Sequence, residues 1–153
     1  MKKTKLFLVI ISLAFAVAFC FGLAACGGVS GTYKLEELSV TYKDEVYTAK
    51  AGGDLVVVEK VGETTSTYTY TVSDKACVFQ FKSNGTYSIT IELPVFSFQG
   101  VTTSHDHFEG KWEEQDGKIN ILDDDGEVTN TYTVDGNRIV WEVEGSYKVV
   151  LKK

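Results

Sequence analysis

The chain has 153 residues, of which 44% are hydrophobic and 24% charged, and its formal net charge is −6. Arg138 is its one arginine, and an acidic surface with so little arginine repels phosphate backbones, which argues against nucleic-acid binding. The length suits one domain able to bury a core without staples.

The first element is a leader. Lys2, Lys3 and Lys5 make a positive start, and the run from Leu6 to Ala25 carries no charge. As a helix this run would reach across the ~30 Å hydrocarbon core of a bilayer, so a retained transmembrane anchor is one reading. The end of the run favours a second. Small residues at 24 and 25 suit a signal peptidase, and the next basic residue, Lys34, lies beyond a Gly/Ser-rich stretch. The tetrapeptide Leu23-Ala24-Ala25-Cys26 resembles the lipobox of bacterial lipoproteins. That resemblance implies a diacylglyceryl group on the Cys26 thiol, cleavage before Cys26, and attachment to the extracytoplasmic face of the cell membrane. Two acyl chains are enough for a stable anchor. Residues 1–25 are then a removed signal peptide and residues 26–30 a lipidated cysteine with a short tether. Cys20 would leave with the signal, so only Cys77 would remain as a thiol and no intrachain disulfide is expected.

Residues 31–153 read as one β domain. "GTYKLEEL" opens a strand with Tyr33 and Leu35 on one face, and "SVTYKDEVYTA" extends it through a bend or hairpin. "DLVVVEKV" at 54–61 is β-branched and reads as a strand, as does the alternating "TSTYTYTV" that follows. From Cys77 onward strict alternation dominates. Cys77, Phe79 and Phe81 share a face, and the bland reading of Cys77 is a small buried hydrophobe. Asn84-Gly85 signals a hairpin, and Tyr87, Ile89, Ile91 and Leu93 line the next strand. Pro94, the only proline, is expected to end that strand. Residues 94–106 then form the longest loop, whose Phe96 and Phe98 suit a lid or cap. The later strands align Phe108 with Gly110 and Trp112, Ile119 with Ile121, Val128 with Tyr132 and Val134, Ile139 with Trp141 and Val143, and Tyr147 with Val149 and Leu151. Asp-Gly turns at 116–117 and 135–136 separate several of them. The fold class is all-β: an antiparallel up-and-down meander of about eight to ten strands that closes to remove its edges.

The pieces "GTYKL" at 31–35, "FKSNGTYSI" at 81–89, "GKWEEQDGKINI" at 110–121, "YTVDGNRIVW" at 132–141 and "YKVVLKK" at 147–153 resemble the lipocalin-like domains of small bacterial lipoproteins. The resemblance implies a barrel that holds a small apolar molecule. Tyr33 stands in place of the first-strand tryptophan of true lipocalins, and Lys152 and Lys153 end the chain in place of an arginine.

Candidate chemistry is sparse. His105, His107 and Glu109 fall on one side of an extended segment, and imidazole and carboxylate can hold zinc. One His-x-His is a weak signal, and a polar surface is the better reading. The acidic run from Asp123 to Glu127 lacks a calcium-loop glutamate at the required spacing, since Val134 stands there. No nucleotide, nucleophile-elbow or redox motif occurs, so no cofactor and no enzymatic activity are expected. The expected function is a membrane-anchored binding module for a small apolar molecule or an envelope partner, with Phe96, Phe98, Trp112 and Trp141 as candidate contacts. The alternative is a structural or interaction lipoprotein whose barrel is filled and has no ligand.

Overall fold

The computed structural model describes residues 28–97 and 99–153, so Cys26 and Phe98 lie outside the described residues. The described residues form strands and turns with no helix. In chain order the strands are β1 (Gly31–Tyr42), β2 (Glu45–Lys50), β3 (Asp54–Val61), β4 (Thr64–Thr71), β5 (Cys77–Phe81), β6 (Thr86–Ser97), β7 (Gly100–Gln115), β8 (Lys118–Leu122), β9 (Val128–Asp135), β10 (Arg138–Val143) and β11 (Tyr147–Lys152). β5 to β11 form an antiparallel meander, and β1 pairs with both β5 and β11 to close an eight-stranded barrel. β2 is an extra strand on β1, and β3–β4 form a separate two-stranded sheet. The architecture is consistent with a lipocalin-like barrel.

The meander is not continuous from the start, because β1 skips β2, β3 and β4 to meet β5. A bulge at Glu36 makes this possible. Gly31–Lys34 pair with β5, whereas Glu37–Tyr42 pair on the same edge with β2. On the other edge the register with β11 shifts between Leu35 and Glu37, so Glu36 is the extra residue. Its carboxylate accepts a forked pair of bonds from Arg138 on β10, with Nε–Oε2 at 2.7 Å and Nη2–Oε1 at 2.9 Å. That fork, aided by Lys152, holds the Glu36 carboxyl below its ordinary range. The one arginine therefore ties the bulge to the closing strands.

Tight turns set the registers. Asp116 and Gly117 both have positive φ (53° and 72°), as a two-residue hairpin turn that follows strand twist requires. Lys43 and Asp44 make the same kind of turn between β1 and β2 without a glycine, at φ 51° and 64°. Such angles are uncommon for side chains like these, and the Lys43 side chain has a strong partner. Its ammonium bonds to Glu59 on β3, and Tyr68 (3.0 Å) and Tyr42 (3.3 Å) donate hydroxyls to the same carboxylate. Glu59 is 8% exposed, so these donors satisfy a carboxylate that would otherwise be costly to bury. The bonds to Lys43 and the tyrosines lower the Glu59 pKa, and Glu59 raises that of Lys43. A depressed carboxyl pKa contributes stability above the ordinary carboxylate range, near ~4.3, and loses it as pH falls through the lowered value. The raised Lys43 pKa contributes below ~10.4 and loses its share as pH rises past that. Glu59→Gln should therefore melt below the wild type at pH 7, and the gap should narrow as pH falls below the ordinary carboxylate range; thermal melts at pH 7 and through the acid range check this.

The strand expected to end at Pro94 continues to Ser97, and the loop expected over 94–106 is instead the end of a long hairpin. Twelve residue pairs join β6 to β7, from Thr86–Lys111 to Ser97–Gly100. β5 explains why proline is tolerated. It leaves β6 after Cys77–Ile91, and the Glu92 N–H then bonds to the Ala76 carbonyl on that side. Two residues on, the nitrogen of Pro94 faces the same abandoned side, so its missing N–H costs no ladder bond. The carbonyls of Glu92 and Pro94 are capped there by the hydroxyls of Tyr70 (3.3 Å) and Tyr147 (2.7 Å). Past Pro94 the inward side switches: Ile89, Ile91 and Leu93 point in before it, and Phe96 packs against the core after it.

The base of the barrel, where turns 82–85, 116–117 and 136–137 lie, is filled. Tyr33, Phe79, Phe81 and Trp112 are buried there. Their rings meet edge to face, with Tyr33–Phe81 at 6.1 Å, Phe79–Phe81 at 6.4 Å and Phe81–Trp112 at 5.3 Å between centroids. The Tyr33 hydroxyl donates to the Val29 carbonyl at 2.8 Å, which satisfies the one polar atom that tyrosine brings to this core position. Cys77, at the other end of β5 opposite Ile91, is buried in the same core, and burial pushes its thiol pKa up to about 12. It is a core residue, unsuited to thiolate chemistry.

Candidate functional site: an uncharged aromatic cleft in the barrel wall

The wall does not close evenly. β7 pairs with β8 only from Lys111 to Gln115, and β9 pairs with β10 only at Asp135–Arg138 and Val134–Ile139. Toward the rim, which carries turns 123–127 and 144–146, these strands separate. Between them lies a cleft of about 360 Å³. β6 contributes Tyr87, Ile89 and Ile91, β7 contributes Phe108, β8 Ile121, β9 Thr129, Asn130 and Tyr132, and β10 Trp141. The volume lies at the lower end of the ~300–1,000 Å³ typical of small-molecule sites.

Phe79 sits behind the cleft. Its ring lies 5.3 Å from that of Tyr132 and 6.0 Å from that of Trp141, so the filled base supports the site. Phe108 is 49% exposed although it pairs with the buried Ile89. The polar groups are few. Asn130 Nδ2 donates to the Tyr132 hydroxyl at 3.2 Å, and Thr129 donates to the Ile121 carbonyl at 3.3 Å. Burial raises the Tyr132 pKa to about 12, so this hydroxyl stays neutral. Among the described residues no Lys, Arg, His, Asp or Glu lines the cleft. An ion entering it would lose hydration and find no counter-charge, so the walls select against charged molecules.

Of the contacts expected from sequence that lie among the described residues, Phe96, Trp112 and Trp141, only Trp141 reaches this site. Trp112, 4% exposed, is part of the base, where Nε1 donates to the Lys82 carbonyl at 3.0 Å. Phe96 packs on Tyr42, 5.9 Å between ring centroids, and covers the protein's own core. Phe108, Ile121 and Tyr132 were legible as inward residues but not as site residues. Asn130 was missed, although it stands two residues before Tyr132 and pairs with Ile121 on the inward face, where a polar residue is itself a signal; Val128, expected on that face, is carried off it by the register shift beyond Ile121 and is exposed.

The candidate metal residues face outward from the long hairpin. His105 Nδ1 lies 3.3 Å from Glu92 Oε1, while His107 lies between Thr90 (3.1 Å) and Glu109 (3.3 Å). Among the described residues no three His, Cys, Asp or Glu side chains converge as a metal site would require. A second, polar cleft of about 420 Å³ lies beside the Lys43–Glu59 pair. Lys43 and Glu59 pair with each other there, and Glu45 accepts the Tyr47 hydroxyl at 2.6 Å. The chain matches no protein family model, no curated protein and no solved structure.

Proposed function

We propose that this chain is a lipid-anchored, extracytoplasmic binding module whose lateral cleft takes a small, uncharged, apolar or aromatic molecule. The observation that carries the reading is the cleft between β7 and β10, with the uncharged aromatic walls of Phe108, Tyr132 and Trp141. The anchor rests on Leu23-Ala24-Ala25-Cys26, with Cys26 as the lipidated residue. The function requires no catalytic step and no cofactor. The membrane is its partner through the lipid.

Binding can be read from Trp141. An uncharged naphthylamine probe should bind the folded protein and quench part of its tryptophan emission. Trp141→Ala and Ile121→Arg should each weaken probe binding by at least about tenfold, equivalent to ~1.4 kcal/mol. Phe96→Ser should leave probe binding intact while lowering the melting temperature. A folded protein that takes up no uncharged probe would overturn the binding reading. It would leave the second one, a structural envelope lipoprotein without a ligand, which the filled base of Tyr33, Phe79, Phe81 and Trp112 favours.

A further inference from the structure

Tyr132 carries a proton that the protein itself does not use. The residue lines the cleft from β9 and is only 7% exposed. Its hydroxyl meets one partner among the described residues, Asn130, and the direction of that bond is fixed. The Thr131 N–H donates to Asn130 Oδ1 at 2.8 Å, which identifies the acceptor side of the amide. The atom 3.2 Å from the phenol oxygen is therefore Nδ2, which can only donate. Tyr132 accepts that bond, and its own O–H has no acceptor among the described residues. The hydroxyl of Thr129, also on β9, instead donates to the Ile121 carbonyl. A buried donor left without a partner is costly, and here it stands in a cleft whose walls are mostly apolar. The phenol is also held in place, since its ring packs edge to face on Phe79 and its strand pairs Tyr132 with Ile119.

We propose that the ligand of this cleft is an uncharged aromatic carbonyl compound, a ketone or quinone, whose oxygen accepts the Tyr132 proton while its ring lies against Trp141 and Phe108. The inference rests on the cleft being a ligand site, and it adds the class of ligand. A carbonyl oxygen is the acceptor that fits. It brings no charge, which nothing in the cleft would balance. It brings no proton either, whereas an alcohol or an amine would add a second donor beside the first. An aromatic hydrocarbon would fill the same walls and leave Tyr132 unsatisfied. Tyr132 is thus the residue that sets specificity, and Asn130 is a positioning residue that turns the phenol proton toward the ligand.

Acetylnaphthalene and ethylnaphthalene test the assignment, because they are close in shape and only the first has an acceptor. Each is titrated against the bound naphthylamine probe on the full chain in mild detergent, and the ratio of their displacement constants is compared between variants. Partition into detergent is common to every variant and cancels in that comparison. Tyr132→Phe should lower the preference for the ketone by about fivefold, the size of one net hydrogen bond. Asn130→Asp should lower it as far with the phenol still in place, because a carboxylate there takes the Tyr132 proton itself. A role for Tyr132 in packing alone would weaken both compounds together and leave the ratio where it was. Such an unchanged ratio in both variants, with both compounds displacing the probe, overturns the carbonyl ligand and leaves the cleft as a site for apolar molecules. A folded chain that binds neither the compounds nor the probe overturns the cleft reading and this inference with it.

Discussion

Replacing Trp112 by alanine is expected to remove about 3–5 kcal/mol of folding stability. Its indole packs against Phe81 at 5.3 Å in the base of the barrel, where it is almost fully buried. Deleting it leaves a cavity that the surrounding strands cannot collapse into, because turns 82–85 and 116–117 fix them from both sides. The loss has a polar part as well. Trp112 Nε1 donates to the Lys82 carbonyl, and without it that carbonyl loses a partner. Trp112→Phe separates the two, keeping most of the volume and losing the donor. The Lys82 carbonyl keeps its bond from the Gly85 N–H at 3.0 Å, so this variant should cost about 0.5–1.5 kcal/mol, the range for one net hydrogen bond. Chemical denaturation of the purified protein checks both variants. A shift below about 0.5 kcal/mol for Trp112→Ala is the range of surface positions and would contradict the packing described.

Phe79→Ala should be of similar size, about 3–5 kcal/mol. Phe79 is the ring that joins base to cleft, meeting Phe81, Tyr132 and Trp141. Aromatic pairs of this geometry contribute about 0.5–1.5 kcal/mol beyond area burial, so three contacts are lost together. The variant also removes the support behind Trp141. Denaturant midpoints give the stability loss, and a red shift of tryptophan emission in the folded variant reports the loosened indole. Val140→Ala on the same β10 strand, outward-facing and 43% exposed, should change stability by no more than about 0.5 kcal/mol. A Phe79→Ala protein as stable as Val140→Ala would show that the aromatic column does not carry the fold.

Alternation made the barrel visible in the sequence. From Cys77 on, the inward residues Phe79, Phe81, Ile89, Ile119, Ile139 and Leu151 stand two apart or at turn-separated positions, and all are buried. The Asp-Gly turn at 116–117 was visible for the same reason: its chemistry is local. What stayed hidden depends on which strand is missing from a neighbour's side. Pro94 reads as a strand end because proline breaks a ladder, and it does so only where a partner strand is present. β5 stops short, so β6 runs on. The site was illegible for a related reason. Phe108 and Trp141 look like core residues by pattern, and only the short pairings of β7 with β8 and β9 with β10 leave them lining a cleft. Trp112 has the same alternation and sits behind a complete wall. Composition along one strand does not distinguish these cases.

The closure of β1 onto β11 has a consequence for how the chain folds. The hairpins from β5 to β11 join residues close in sequence and can form as soon as each is made. The bond between Glu36 and Arg138 spans 102 positions. Bringing the ends of so long a segment together costs about 4 kcal/mol of loop entropy on the (3/2)RT ln n scale, before any contact offsets it. Non-local pairing of this kind slows folding. The strand synthesised first thus finds its last neighbour only when the final one has been made, and until then the ring is an open sheet with two bare edges.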